Sequence, residues 1–230
     1  MTENDRDGAA LRRANEDWLR RWRAGNIGWH HEEYNPHLLG FWPEMGVPAG
    51  ARIFVPLCGK SRDMAWLVEH GYSVVGVELS PLAVEMFFRE RRVAPSSERL
   101  GRFERWQAGA YLLLCGDIFD LDTTILGSVD GVYDRASLVA LDPEQRRVYA
   151  RRMARLVPTG VRMLLVAMEY AQGAMQGPPY SVPQQEVEVL YGETFSVRLL
   201  HSLDLLKETP RYADRGLDSM VEKVYLLERL

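Results

Sequence analysis

The stretch IFVPLCGKSRDMAWLVEHGYSVVGVELS, residues 53–80, decides the fold. Ile53–Val55 is a short apolar run of strand type, closed by Pro56. Met64, Leu67 and Val68 then fall at helical spacing, and His70-Gly71 stops the helix with a residue that tolerates positive φ. Val74 to Val77 reads as a second buried strand and ends on an acid, Glu78. Strand, tight turn, helix and strand make one βαβ unit, and such units are right-handed in nearly every sheet that holds them.

In dinucleotide-type folds a ligand sits beyond the carboxyl ends of the strands, and an acid about twenty residues after the first turn takes the ribose hydroxyls. Glu78 stands in that position relative to Gly59. A carboxylate that accepts two hydroxyl protons forms charge-assisted bonds, and so selects a free ribose diol. The alternative is that Glu78 caps the helix opening at Ser80-Pro81, because acids favour helix N-termini. Its place at the end of a wholly apolar strand favours the ribose.

The glycine loop excludes two ligand classes. Gly59-Lys60-Ser61 has the look of a P-loop end, but that motif needs a glycine at position 54, where Phe54 stands. The pyrophosphate fingerprint is missing too, since Leu57 to Ser61 holds a single glycine. One glycine permits one close backbone approach and builds no cradle for two phosphates. The expected ligand is a nucleoside without a diphosphate, and S-adenosylmethionine (AdoMet) is the obvious candidate.

Three blocks carry a resemblance. FVPLCGKSRDM (residues 54–64), GVELSPLAV (76–84) and YDRASLVAL (133–141) resemble the thiopurine S-methyltransferase family closely, and the likeness runs from about Trp18 to the C-terminus. It implies a class I, AdoMet-dependent methyltransferase acting on sulfur. The implied fold is α/β and Rossmann-like: a mainly parallel seven-stranded sheet, helices on both faces, and an antiparallel last strand. By residue, the resemblance implies cofactor contacts from Trp22, Leu57, Gly59, Glu78, Asp117, Ile118 and Arg135, with Asp117 and Ile118 beside the adenine. It places Arg135 by the acceptor sulfur as well, brings Arg211 to the substrate as a second arginine, and turns Trp29 toward the acceptor. Family members commonly carry phenylalanine where Trp29 stands. A ring near a sulfonium adds on the order of 0.5–2 kcal/mol by cation–π attraction. Two alternatives stay open: Asp117 as a turn aspartate, and Asp134 with Arg135 as a solvated pair of small energetic value. The switch-point rule favours function for residues leaving the Asp130–Arg135 strand.

Composition sets the outer bounds. A chain of 230 residues is expected to form one domain, long enough to bury roughly 70% of its unfolded surface. The net charge of −4 speaks against a general nucleic-acid binder. The two cysteines, Cys58 and Cys115, follow strand segments and read as buried thiols of a reducing cytoplasm rather than a disulfide framework. Residues 1–10 are polar, and no apolar run approaches a membrane span, so a cytoplasmic protein without membrane contact is expected, as a monomer. His30-His31-Glu32-Glu33 imitates a zincin, but the second ligand would be Asn35; no metal site is expected.

Outside the central unit, residues 1–9 are expected to be disordered and residues 10–46 to form a helical cover over the site. Leu11, Ala14, Trp18, Leu19 and Trp22 make the apolar stripe of a helix stopped at Ala24-Gly25, and Asn35-Pro36 caps a second helix through Trp42. Pro95 to Trp106 reads as irregular. Tyr111–Cys115, Asp130–Arg135, Val161–Ala167, Thr194–His201 and Val221–Leu227 read as further strands. Gly177-Pro178-Pro179-Tyr180 imitates an amino-methyltransferase signature but follows the wrong strand, so Pro178 and Pro179 are read as a rigid wall of the acceptor pocket.

Three functions remain on these residues. The first is methylation of an aromatic or heterocyclic thiol, with Arg135 and Arg211 favouring the thiolate. The second is methylation of tellurite, selenium species or small aliphatic thiols, which the acceptor pocket alone would decide. The third is AdoMet binding without turnover.

Overall fold

The computed structural model describes residues 14–208 and 217–230. Arg211 and the first thirteen residues therefore lie outside the described residues. Among the described residues nine strands form one sheet: β1 Arg52–Val55, β2 Ser73–Glu78, β3 Ser96–Leu100, β4 Phe103–Ala108, β5 Tyr111–Cys115, β6 Gly131–Arg135, β7 Arg162–Tyr170, β8 Phe195–Asp204 and β9 Met220–Arg229. Their order is β3-β4-β5-β2-β1-β6-β7-β9-β8. The helices are α1 (residues 14–23), α2 Pro36–Phe41, α3 Asp63–Glu69, α4 Pro81–Glu90, α5 Thr123–Leu126, α6 Ser137–Ala140, α7 Pro143–Leu156, α8 Gln184–Tyr191 and α9 Leu205–Glu208.

The expected seven-stranded sheet is present as β5-β2-β1-β6-β7-β9-β8. Pairings among β5, β2, β1, β6 and β7 are parallel, and β9 runs antiparallel between β7 and β8. The segment expected to be irregular is instead a hairpin, β3 with β4, paired antiparallel onto β5. Every residue of β3 is exposed, so this edge strand carries no apolar alternation by which to recognise it. Phe103 on β4 is fully buried and anchors the hairpin.

Two apolar layers sandwich the sheet. Phe54, Val75, Val77, Val132 and Leu165 face α7 and α8, whose Tyr149, Met153, Val187 and Tyr191 complete that layer. Ile53, Val55, Val74, Leu164, Val166 and Val224 face the other way, against α2 to α4. Alternation along each strand sorts the two sets. It also separates neighbours on β6: Asp134 is fully buried and accepts from Tyr149 Oη at 2.7 Å, while Arg135 is half-buried on the opposite face. The solvated Asp134–Arg135 pair is thereby corrected. Burial pushes the Asp134 carboxyl up to about 6.

The helix starts follow the sequence. Asn35 accepts from the N–H groups of His37 and Leu38, Ser80 from Ala83, and Asp142 closes a capping box with Gln145. Among the described residues no helix is long and apolar enough to cross a membrane.

Candidate active site

The carboxyl ends of β1, β2, β5 and β6 converge on a cavity of about 380 Å³. A second chamber of about 370 Å³ adjoins it and shares Trp22, Trp29, Leu57, Gly59, Arg135 and Glu222. Ten of the expected site residues line the first cavity: Trp22, Trp29, Leu57, Gly59, Glu78, Asp117, Ile118, Arg135, Pro178 and Pro179.

Glu78 ends β2 with both carboxylate oxygens engaged. Gly59 N–H donates to Oε2 at 2.9 Å and Ser80 N–H to Oε1 at 2.7 Å. The carboxylate thus pins the turn after β1 to the start of α4. Ser80 caps α4 with its own hydroxyl, so the capping alternative describes only part of what Glu78 does. Burial dominates its electrostatics and lifts the carboxyl to about 7, against the amide bonds of Ser80, Gly59 and Leu79, which favour the charged form. The carboxylate keeps acceptor capacity for a further donor.

The turn itself is strained. Leu57 has φ +46° and Gly59 φ +53°; across the cavity Ala136, directly after β6, has φ +70°. A Cβ on Gly59 would lie 3.4 Å from Cζ2 of Trp22, which is itself buried. Non-glycine residues in the left-handed region concentrate where backbone must be held against a ligand, and Leu57 and Ala136 both line the cavity.

Part of the cavity lining comes from α1 and the loop behind it. Trp29 is the middle ring of an aromatic group, edge-on to Trp18 at 5.1 Å and to Trp22 at 5.7 Å. Arg135 donates from Nη1 to the Trp29 carbonyl at 3.3 Å, tying this loop to the end of β6. Asp117 caps the short helical turn Ile118–Asp120 through Phe119 N–H at 2.9 Å, and its other oxygen accepts from Asn15 Nδ2 at 2.6 Å. The turn-aspartate role is therefore realised, on a residue that also faces the cavity.

The proline loop forms the far wall. Both peptide bonds of Gly177-Pro178-Pro179 are cis. Tyr180 N–H donates to the Val139 carbonyl at 2.7 Å and Tyr170 Oη to the Pro179 carbonyl at 2.5 Å. The buried Arg146 holds the loop's end through the Ser181 carbonyl at 2.9 Å and pairs with Glu186 at 2.8 Å. Cys58 and Cys115 are buried, free thiols. Burial first, then the Glu78 charge, raises both, Cys115 to about 12, so neither is a thiolate nucleophile.

The residues fit AdoMet in three respects. A buried carboxylate faces a cavity of about 380 Å³, a side-chain-free position lies under an aromatic ring, and among the described residues no phosphate cradle is present. Comparison with known proteins agrees. The profile of the thiopurine S-methyltransferase family matches residues 13–230. The chain belongs to the thiopurine S-methyltransferase family. A relative of that name from Nitrosospira multiformis is 50% identical over 212 residues, covering 92% of this chain and 96% of its own. Another from Azotobacter vinelandii is 43% identical over 212 residues, covering 92% and 97%. Among solved structures, a Burkholderia thailandensis N1-methyltransferase of 1,6-didemethyltoxoflavin, bound to that compound and S-adenosylhomocysteine, superposes with a TM-score of 0.64 at 18% identity. It covers 100% of this chain and 91% of its own. That likeness establishes the fold. Family and fold together make the chain an AdoMet-dependent methyltransferase.

Several cavity residues escaped the sequence reading. Asn15 carries no motif, and Ala136 stands inside the block YDRASLVAL with no signal of its own for a site role. Glu222 on β9 lines both chambers, and His37 Nε2 lies 2.7 Å from its Oε2. A signal for Glu222 did exist. Met220, Glu222, Val224 and Leu226 form one alternating row, and the three others are buried and apolar. An acid in such a row needs a reason.

Proposed function

We propose that this family member transfers the AdoMet methyl group to the sulfur of thiopurines or other aromatic and heterocyclic thiols. The observation carrying this reading is a single cavity lined by Glu78 and Asp117 together with Arg135, Pro178 and Pro179. Bound AdoMet supplies a methyl group on a sulfonium, open to in-line displacement with a neutral thioether leaving. Glu78 accepts the ribose hydroxyls, Asp117 and Ile118 border the adenine, and Trp22, Leu57 and Gly59 enclose the remainder. Trp29, Pro178 and Pro179 flank the acceptor, and α1 with its loop covers both.

Because the leaving group is neutral, no acid is needed to expel it. Alignment of acceptor and methyl group is the main requirement, and such positioning supplies up to about 7–11 kcal/mol. Arg135 favours an acceptor thiolate but takes no proton, since a guanidinium stays charged. Arg211 joins it in this reading on the strength of the family resemblance alone.

The test is transfer from labelled AdoMet to 6-mercaptopurine, with tellurite and no acceptor in parallel. The reading expects methylthiopurine and a blank-level tellurite arm. Turnover of tellurite alone would move the acceptor class, and AdoMet binding with no transfer to any acceptor would remove the enzymatic reading.

A further inference from the structure

Glu222 has no part in cofactor capture as described, yet its carboxylate lies where the two chambers meet, as does Arg135. It sits in the apolar row Met220–Val224–Leu226 of β9, with only 17% of its side chain exposed. Its register partners are Met168 on β7, which lines both chambers, and Leu203 on β8, which lines the second. Removing a carboxylate from water in such surroundings is costly unless it is bonded. His37 meets that need from α2: its ring is 5% exposed, its Nε2 contacts Oε2, and its own backbone N–H is fixed by the Asn35 cap. Arg135 and Glu222 thus present a fixed cation and a fixed anion to the same space, and His37 orients the anion.

A lone sulfur nucleophile needs only the cation. Heterocyclic thiols, however, rest largely as thiones, with the proton on the ring nitrogen beside the C=S carbon. Methylating that sulfur requires the nitrogen's proton to leave. We propose that Glu222 is the acceptor of that ring N–H, so that the site selects heterocyclic thioamides over simple thiols; this rests on the thiol-methylating reading above. As the thione sulfur attacks, its bond to the methyl carbon forms and the sulfonium–methyl bond breaks, with that electron pair passing to the leaving thioether. The N–H proton passes to the Glu222 carboxylate, and the C=S π bond becomes a ring C=N bond. His37 is a positioning residue in this scheme.

Two acceptors separate the possibilities: 6-mercaptopurine, assayed below the pH of its own ionisation, and 4-nitrothiophenol, which has no ring N–H and ionises without help. Glu222→Gln keeps a hydrogen-bonding group for His37 but takes no proton. It is expected to lower kcat on the purine about a hundredfold and to leave the nitrothiophenol rate in place. A readout without turnover is calorimetric titration of protein loaded with S-adenosylhomocysteine. There Glu222→Ala weakens the purine about tenfold, the loss of one hydrogen bond to a charged group, and spares the nitrothiophenol. Equal losses on both acceptors, or none on the purine, overturn the proposal. Wild-type protein that methylates neither thiol overturns the thiol-transfer reading itself, and this inference with it.

Discussion

Asn15 and Asp117 stand 102 positions apart in the chain and share a hydrogen bond of 2.6 Å, Nδ2 to Oδ2. That bond fastens α1 to the turn after β5, at the end of the cavity assigned to the adenine. The same carboxylate caps the next helical turn through its other oxygen. Moving α1 away from that turn therefore breaks a charge-assisted bond, worth about 1.5–3 kcal/mol.

Asn15→Ala is accordingly expected to raise the rate of tryptic cleavage at Arg20, Arg21 and Arg23 by about tenfold or more in ligand-free protein. S-Adenosylhomocysteine, placed by the proposed binding mode in the cavity beside α1, should protect these sites in both proteins. Limited proteolysis followed by mass spectrometry reads both effects. Identical cleavage with and without ligand would separate α1 from the cofactor.

Glu78 gives a pH dependence whose sign can be worked out. Its carboxyl is lifted by burial from 4.5 to about 7 in the folded protein. Between those values the folded state holds a proton that the unfolded chain has released, so stability falls as pH rises across that window and levels off above about 7. Diol capture runs the other way, since the ionised carboxylate is the better acceptor. AdoMet affinity is expected to rise as pH approaches about 7 and then to flatten. Glu78→Gln should flatten both curves and weaken AdoMet by about ten- to a hundredfold. Thermal melts and calorimetric titrations between pH 5 and pH 8, on the order of the window just derived, carry the comparison.

Much of this site was legible because its residues sit at element ends. Glu78 terminates an apolar strand, Gly59 follows another, and Arg135 closes a third, so the strand pattern sets their places, while the roles of Gly59 and Arg135 were implied by the family resemblance. What escaped was set by tertiary contact. Asn15 earns its role only when α1 lies on the β5 turn, and Ala136 adopts its positive φ with no glycine to announce it. The β3–β4 hairpin escaped because its outer strand is exposed throughout and its inner strand is anchored mainly by Phe103. The alternative of a solvated Asp134–Arg135 pair fails because neighbours in a strand point to opposite faces. The partner of Asp134, Tyr149, is on α7.

Gly59 tests backbone and packing together. At φ +53° a Cβ costs about 1–2 kcal/mol from conformation alone, while its 3.4 Å approach to Trp22 is an ordinary contact. Gly59→Ala should lower the melting temperature by roughly 2–8 °C, taking about 2–4 °C per kcal/mol at this chain length. Because the Gly59 N–H also fixes Glu78, AdoMet affinity should fall in step. An unchanged melting temperature would show that the turn relaxes without cost.

Arg135 separates charge from shape. It reaches the cavity from the end of β6 and bonds the Trp29 carbonyl, so its guanidinium is held at the cavity wall against the loop after α1. A fixed cation lowers the ionisation pH of a bound thiol; its loss must therefore hurt most at low pH, where solution supplies little thiolate. Arg135→Ala is expected to cut turnover of a thiol acceptor about a hundredfold near neutrality, with the deficit shrinking as pH rises. Arg135→Lys keeps the charge but loses the planar fork that meets the Trp29 carbonyl, and should recover only part of the rate. A kcat–pH profile for the three proteins distinguishes the roles. A constant deficit at every pH would make Arg135 a positioning group for the cover, and an undiminished rate in Arg135→Ala would remove it from the reaction.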